Sequence, residues 1–159
     1  MTHQISDMVA ADIMTTRLVK LRPETDVFKA IEVLVKKKIS GAPVVDADNR
    51  LLGVFSEKCC MQVLVDAAYE GLPTNDVAAF MVKDPFCVNE DLQLLSIANY
   101  FLISPARRVP VVRDGVLVGQ ISRRDVIRAA AKKEVRHTDH SRKLLYLSAL
   151  REMEEVPAV

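Results

Sequence analysis

The amino-acid sequence predicts a mixed α/β fold made of two copies of one β-α-β-β-α unit. Landmark residues recur at a constant offset, because Met14 and Pro43 return 67 positions later as Met81 and Pro110. Each of these prolines begins a short apolar stretch, "PVVD" in the first copy and "PVVR" in the second. An amphipathic helix pattern also recurs at the same offset. Recurrence at a fixed period of this length is typical of a duplicated structural unit.

The helix that repeats begins after acidic residues in both copies. These are Glu24 and Asp26 in the first copy and Glu90 and Asp91 in the second, and negative charge favours a helix N-terminus. Apolar residues then follow the i, i+3, i+4, i+7 spacing of a helix with one buried face. They are Val27, Ala30, Ile31 and Leu34, and 67 residues later Leu94, Ile97, Ala98 and Phe101. The agreement predicts an equivalent helix in each copy.

Short apolar segments around this helix supply the predicted strands. An extended segment precedes it at residues 17–21 and 85–89, and two strands joined by a turn follow it. The turn is one residue shorter in the second copy, and turns are where chains tolerate length changes. A further helix follows Ser56 in the first copy and Ser122 in the second. Nearly continuous apolar strands predict sheets buried beneath helices.

These patterns set the expected boundaries. We predict the first copy at residues 8–70, the second at residues 76–133, and a separate C-terminal helix at residues 138–155. Neither copy offers much core by itself, so the two are expected to pack together. The C-terminal helix would cap this module or contact a partner.

Composition argues against several classes of function. The 159 residues include 22 basic and 21 acidic side chains, a net charge of +1, which gives no electrostatic reason to expect nucleic-acid or basic membrane-surface binding. The sequence lacks a signal-peptide pattern at its start and an apolar run of roughly 18 residues. Three cysteines without regular spacing favour reduced thiols over a disulfide framework or zinc site. We therefore expect a cytoplasmic protein that does not enter a membrane.

No catalytic or metal-binding motif is evident. The chain has no P-loop, no dinucleotide-binding glycine pattern and no nucleophile elbow, so we expect no enzyme activity. His137 and His140 have i, i+3 spacing but no evident third ligand, and we interpret them as part of a polar linker rather than a metal site. Cys60 falls on an apolar helical stripe and is predicted to be in the core. For Cys59, which lies beside Lys58, a reactive thiolate remains an alternative interpretation.

Several short motifs occur in the same order in both copies. Those of the first copy are "IMT" at Ile13, "ISGAPVVD" from Ile39 and "LLGVFS" from Leu51, and those of the second are "FM" at Phe80, "ARRVPVV" from Ala106 and "VLVGQISRRDVI" from Val116. Together they resemble the cystathionine-β-synthase (CBS) domain family over about residues 8–133. Each motif is weak alone, but their duplicated order and spacing make the resemblance specific.

The resemblance implies a tandem CBS pair, often called a Bateman module, whose two motifs pack about a pseudo-twofold axis and leave two clefts. Many such pairs bind AMP, ADP or ATP there, and others bind S-adenosylmethionine or a related adenosyl ligand. They generally regulate rather than catalyse, and many associate further into homodimers. We therefore expect a stand-alone regulatory module that requires no cofactor, forms a homodimer and acts on a partner protein that the sequence does not identify.

The segment from Ser122 to Asp125 has two interpretations. In a capping box, Ser122 accepts a hydrogen bond from the backbone N–H near Asp125, and the Asp125 carboxylate reaches back; such a cap stabilises by about 1 kcal/mol. In a nucleotide site, the helix N-terminus and the Ser122 hydroxyl favour phosphate, while the carboxylate accepts hydrogen bonds from ribose hydroxyls. The resemblance likewise implies that Asp125 contacts ribose and that Ser122 lies near phosphate.

Three arginines are candidate phosphate ligands. Arg107 matches a position that is often basic in nucleotide-binding members of the family, and a guanidinium there could form charge-assisted hydrogen bonds. Arg123 and Arg124 could do the same, although we expect at least one of them to point to solvent. The first copy has Ser40 where the second has Arg107, and it has Cys59 where the second has Asp125. We therefore predict one competent site, built mainly by the second copy.

An adenine base requires an apolar slot with backbone donors and acceptors. The predicted lining residues are Asp84, Pro85, Phe86, Cys87, Val109 and Pro110. Phe86 would stack on the base or belong to the core. A different interpretation of the whole chain remains open, namely a ligand-free dimerisation or interaction scaffold in which the Ser122–Asp125 segment only caps a helix.

Overall fold

A computed structural model describes residues 5–69, 71 and 75–133 of the chain. The strands are β1 (Gly41–Val45), β2 (Leu51–Ser56), β3 (Val82–Lys83), β4 (Val88–Asn89), β5 (Arg108–Arg113) and β6 (Val116–Ser122). The helices are α1 (Ala10–Ile13), α2 (Val27–Lys37), α3 (Glu57–Tyr69), α4 (Val77–Phe80), α5 (Leu94–Ile103) and α6 (residues 123–133). A 3-10 turn at Ile5–Asp7 precedes α1. The predicted C-terminal helix at residues 138–155, with His137 and His140 near its start, lies outside the described residues.

Two three-stranded sheets organise the described chain into two halves. The first half contains the sheet β1-β2-β3 with α2 and α3, and the second contains the sheet β4-β5-β6 with α5 and α6. An antiparallel hairpin, β1-β2 or β5-β6, forms most of each sheet. The mixed α/β fold with two repeated halves is therefore confirmed.

The two copies exchange the beginnings of their leading segments, which are residues 8–21 of the first copy and 75–88 of the second, whereas Leu21 and Val88 near the ends of these segments pack in the core of their own half. β3 belongs to the second copy but pairs antiparallel with β2 of the first half. In the equivalent place, Thr15 of the first copy pairs with Gln120 of β6 through two backbone hydrogen bonds of 2.9 and 3.0 Å. Ala10 of α1 is buried in the second half's core, and Val77 of α4 is buried in the first half's core. Each half is thus completed by the other copy.

The halves also meet through their hairpin turns. Arg50 and Val116, which occupy equivalent positions in the two copies, form an antiparallel bridge with each other. Two backbone hydrogen bonds flank the bridge, from Leu51 N to Gly115 O at 3.1 Å and from Leu117 N to Asn49 O at 2.9 Å. Equivalent residues can meet in this way only on the axis that relates the copies. We call residues 49–51 and 115–117 the axial junction.

The hairpin turns account for the one-residue difference between the copies. Asp114 and Gly115 both have positive φ, at 51° and 80°, as in the two-residue type I′ turn that fits the twist of a hairpin. The first copy uses a longer loop in which Asn49 adopts a φ of 62°, a conformation that asparagine tolerates better than most residues. The predicted length change therefore falls in the turn.

Gly53 and Gly119 recur because the exchanged segments pack directly on them. A Cβ atom at Gly119 would lie 2.5 Å from Met14 Sδ, and one at Gly53 would lie 2.7 Å from Met81 Sδ. Both methionines come from the leading segment of the other copy. The duplicated glycine and the duplicated methionine are thus two sides of one contact.

Each half has its own apolar core, formed by equivalent positions. Val27, Val44 and Phe55 are fully buried in the first half, while Ile97 and Ile121 are fully buried in the second. The predicted helical stripes face these cores, because Ala30 and Leu34 of α2 and Leu94 and Phe101 of α5 are also buried. Burial of side chains of this size typically contributes about 1.5–3 kcal/mol each.

The start of α5 differs from the prediction. In the first copy the Asp26 side chain caps α2, accepting from the backbone N–H groups of Phe28 at 2.9 Å and Lys29 at 3.2 Å. In the second copy Glu90 instead forms two 2.6 Å hydrogen bonds with the Arg113 guanidinium, and α5 begins only at Leu94. Pairing with a cation on β5 has replaced the predicted interaction with the helix terminus.

The extended segments predicted at residues 17–21 and 85–89 form less strand than expected. In the first copy only Leu21 of that range makes a bridge, to Val44, and in the second only Val88–Asn89 forms a strand.

Candidate ligand-binding cleft

A complete capping box begins α6. Asp125 Oδ2 accepts hydrogen bonds from the backbone N–H and the hydroxyl of Ser122, both at 2.8 Å, and Ser122 Oγ accepts from the Asp125 N–H at 3.2 Å. The Arg128 guanidinium lies 3.5 Å from Asp125 Oδ1, and 14% of the Asp125 side chain is exposed. A carboxylate has about four lone-pair positions, so the cap leaves acceptor capacity for a ligand.

Backbone donors at this helix start are largely engaged within the protein. The N–H groups of Ser122 and Asp125 take part in the capping box, and the N–H of Arg123 donates to Arg107 O at 3.2 Å. A phosphate bound here would therefore depend on cationic side chains more than on the helix N-terminus, where the sequence interpretation placed it.

The first copy holds a thiol in the equivalent position. Cys59 Sγ lies 3.5 Å from Ser56 Oγ, and Cys59 is buried in the first half's core. A thiol is a weak acceptor, so this position cannot replace the paired acceptors of Asp125. Burial also denies Cys59 the accessibility that a reactive thiolate needs. Cys60 is in the core as predicted, and burial raises the pKa of its thiol.

A cleft of about 220 Å³ lies between the halves beside the Asp125 cap. The first copy contributes Thr15, Arg17, Leu18, Val19, Ile39 and Gly41 to its lining. The second copy contributes Arg108, Gln120, Ser122 and Asp125. The cleft therefore combines one carboxylate, two guanidinium groups and an apolar wall, and its lining comes from both copies.

Arg108, the first residue of β5, lines this cleft, whereas Arg107 just before β5 does not. Adjacent residues of an extended chain point to opposite sides, and Arg107 is exposed outside the lining. Arg123 and Arg124 are also exposed and outside it. The Arg123 guanidinium donates to Ser104 O at 2.9 Å, just beyond the end of α5. Ser122 and Asp125 are the predicted site residues that the structure brings into the cleft.

The predicted adenine-slot residues lie elsewhere. Residues 84–87 (Asp84, Pro85, Phe86, Cys87) connect β3 in the first half to β4 in the second, and none of them lines the cleft. The Phe86 ring stacks on Tyr100 with centroids 4.0 Å apart and planes 11° apart. Val109 and Pro110 are buried in β5 and do not line the cleft. Ligand contact by these six residues stays a prediction, but the structure separates them from the cleft of Asp125.

The wall formed by Thr15, Arg17, Leu18 and Val19 was not predicted from the sequence. The 67-residue offset showed that residues 15–19 and 82–86 are equivalent, but it did not show which copy each stretch joins. A leading segment can pair with either copy in a twofold arrangement, and periodicity is the same in both cases. The shared glycine and methionine positions were the available signal, since each glycine needs a neighbour that fills the space beside it.

Within the described residues, no cluster of three or more His, Cys, Asp or Glu side chains is arranged to hold a metal ion. No helix in the described ranges combines the length and apolar character needed to cross a membrane.

Known proteins match the chain over both copies. A family model for the CBS domain matches residues 9–66 and 76–132. The chloroplastic CBS domain-containing protein CBSX2 of Arabidopsis thaliana is 31% identical over 161 residues, covering 82% of this chain and 66% of CBSX2. The uncharacterized protein MJ1225 of Methanocaldococcus jannaschii is 29% identical over 117 residues, covering 74% of this chain and 41% of MJ1225. The chain thus spans less than two thirds of either curated relative.

A solved structure shares the arrangement of the two halves. The crystal structure of CBSX2 in complex with AMP matches with a TM-score of 0.69 and 34% identity, covering 79% of this chain and 98% of that one.

Proposed function

The chain belongs to the CBS domain family, and on that premise we propose that it is a regulatory module that binds an adenosine-containing ligand of the AMP, ADP or ATP class. The ligand would occupy the cleft beside Ser122 and Asp125. The observation that carries the proposal is the meeting, in one cleft between the halves, of the Asp125 carboxylate with the guanidinium groups of Arg17 and Arg108. A carboxylate accepts hydrogen bonds from the neutral ribose hydroxyls, and guanidinium groups bind phosphate.

Each part of such a ligand has a matching group. The two adjacent ribose hydroxyls would donate to Asp125, whose side chain is mostly buried and therefore held in place. Arg17 and Arg108 would supply charge-assisted hydrogen bonds to phosphate. Leu18, Val19 and Ile39 offer an apolar wall for the base. The complex of CBSX2 with AMP supports this choice of ligand class.

Cleft size favours partial enclosure of the ligand. Pockets that enclose a small molecule usually measure about 300–1,000 Å³, whereas this cleft measures about 220 Å³. We therefore expect the base and ribose inside and the phosphates at the mouth, beside the exposed Arg17. A ligand held by both copies favours one relative arrangement of them, and it regulates only in so far as it binds that arrangement better than another. No catalytic group is needed for such a role.

One ligand per chain is the expected stoichiometry. The position equivalent to Asp125 is Cys59, and the position equivalent to Arg17 is Asp84. The second cleft of the pair would thus lack the ribose acceptor and would hold an acid in place of a phosphate-binding cation.

Exposed apolar helix faces support a proposed homodimer and keep a second candidate function in view. On α5, Leu102 and Ile103 are 82% and 87% exposed, and on α3, Leu64 and Val65 are about half exposed. Apolar surface of this kind marks sites of protein association when it is contiguous. In the alternative function the module is a ligand-free dimerisation or interaction scaffold, and the Asp125 capping box is only structural.

Calorimetric titration of the full chain with AMP, ADP, ATP and S-adenosylmethionine tests the proposal. Asp125→Ala should weaken binding of the best ligand by at least about tenfold, because a charged hydrogen-bond acceptor contributes roughly 1.5–3 kcal/mol. Asp26→Ala is the matched control, since Asp26 also caps a helix but does not line the cleft.

The outcomes separate the two functions. Loss of binding in Asp125→Ala with unchanged binding in Asp26→Ala supports the nucleotide site. Unchanged binding in Asp125→Ala would show that the site is misplaced. Absence of binding above millimolar affinity by the wild-type protein would favour the scaffold, and two equivalent ligands per chain would refute the one-site arrangement.

A further inference from the structure

The Asn49 side chain connects the wall of the cleft to the axial junction. Its Oδ1 atom accepts a hydrogen bond from Lys20 Nζ at 2.8 Å, and its Nδ2 group donates to Leu117 O at 2.8 Å. The Asn49 carbonyl also accepts from the Leu117 N–H at 2.9 Å. One residue therefore contacts the leading segment of its own copy and a strand of the other copy.

Lys20 directly follows the cleft wall. Arg17, Leu18 and Val19 line the cleft, and the chain is fixed on either side of them by backbone hydrogen bonds. Thr15 is bound to Gln120, and the Leu21 N–H donates to Pro43 O at 2.9 Å. The hydrogen bond from Lys20 to Asn49 adds a side-chain connection from this wall to the axis on which the halves meet.

This connection exists on one side of the pseudo-twofold axis. The residue equivalent to Lys20 is Cys87, and the residue equivalent to Asn49 is Gly115, which has no side chain. The equivalent pair therefore cannot form a side-chain bridge. The connected side is the one whose leading segment faces Ser122 and Asp125.

We propose that Asn49 is a positioning residue that couples the cleft wall to the axial junction, so that a ligand against residues 17–19 changes how firmly the two halves are joined. The inference rests on the proposed function for its ligand, but the coupling itself is a property of the unliganded protein. Lys20 acts through Asn49, and Asn49 acts through Leu117, whose amide hydrogen bond crosses the junction.

Hydrogen exchange at the Leu117 amide measures the strength of the junction. In the unliganded protein, Lys20→Met should speed this exchange about two- to fivefold, the lower part of the range for one net hydrogen bond, because the Lys20–Asn49 bond is exposed. Asn49→Gly removes the side chain, keeps the positive φ without strain and copies Gly115. In the Asn49→Gly protein, Lys20→Met should have no further effect. Lys37→Met, at an exposed lysine on α2, is the matched control and should leave the amide unchanged.

Titration with AMP then tests the regulatory consequence. AMP should slow Leu117 exchange in the wild-type protein and slow it about two- to fivefold less in Asn49→Gly. Additive effects of Lys20→Met and Asn49→Gly without ligand would overturn the inference, as would AMP binding that leaves Leu117 exchange unchanged in the wild-type protein. If AMP and the other adenosyl ligands do not bind, the proposed function fails, and the ligand-free pair of variants still decides whether Asn49 couples wall to junction.

Discussion

Alanine at Gly53 should destabilise the protein more than alanine at Gly119, although the two glycines are equivalent. At Gly53 the new Cβ would lie 2.6 Å from the Val82 carbonyl oxygen and 2.7 Å from Met81 Sδ. At Gly119 the atoms within 3.1 Å all belong to the Met14 side chain. A flexible thioether can move aside, whereas a carbonyl of a paired strand moves only if β3 moves with it.

The expected magnitudes follow from two opposing effects. Overfilling a packed site lowers the free energy of unfolding by about 1–3 kcal/mol. Replacing glycine by alanine restricts the unfolded chain and thereby raises the free energy of unfolding by about 0.4–1 kcal/mol. For Gly53→Ala the steric cost should dominate and leave a net loss of about 2 kcal/mol. For Gly119→Ala the Met14 side chain can adjust, so we expect a net loss of about 1 kcal/mol or less.

Urea denaturation of the two variants and the wild-type protein measures these losses, provided that the slope with denaturant is unchanged. A double-mutant cycle identifies the cause. Met14→Ala should partly relieve Gly119→Ala, while Met81→Ala should relieve Gly53→Ala less, because the Val82 carbonyl remains. A loss below about 0.5 kcal/mol for Gly53→Ala, the scatter of neutral substitutions, would refute the steric reasoning. So would a larger loss at Gly119 than at Gly53.

Two further predictions concern charge and thiols. The hydrogen bond from Arg113 lowers the pKa of the Glu90 carboxyl below its ordinary 4.5, so the stabilisation from this pairing is fully present at neutral pH and declines as the pH falls below 4.5. Glu90→Gln should therefore lower the urea midpoint at pH 7 more than at pH 3, and equal losses at both would contradict the pairing. A thiol reagent should modify the partly exposed Cys87 of the native protein first, because Cys59 and Cys60 are buried. Cys87→Ser should abolish the fast phase, and a persisting fast phase would show that a buried cysteine opens readily.

The repeated architecture was predictable because burial leaves a periodic trace in the sequence. Ala30 and Ile97 lie on faces that must be apolar in any arrangement of the halves, so the offset identified both. The hairpin turns were also predictable, because a one-residue deletion beside Gly115, between two strands, is accommodated most easily in the turn. Each of these inferences depends only on residues that are close together along the chain.

The cleft was only partly predictable, because its lining depends on contacts between copies. Ser122 and Asp125 were found from local spacing, and their cap is local too. Arg107 stays a prediction as a phosphate ligand, but its neighbour Arg108 is the one that lines the cleft, because adjacent side chains on an extended chain point in opposite directions. Arg17 was missed because nothing in the sequence shows that its segment crosses to the other copy.

The exchange of leading segments also determines what a single copy could achieve alone. Without the other copy's short helix, each half would leave the surface beneath Ala10 or Val77 uncovered, so two separate identical copies would have to associate to be complete. Such an assembly would have two identical clefts by symmetry. Fusion in one polypeptide keeps the association at high effective concentration and lets the two copies evolve separately. It is this covalent linkage that allows one side of the scaffold to carry Asp125 while the other carries Cys59.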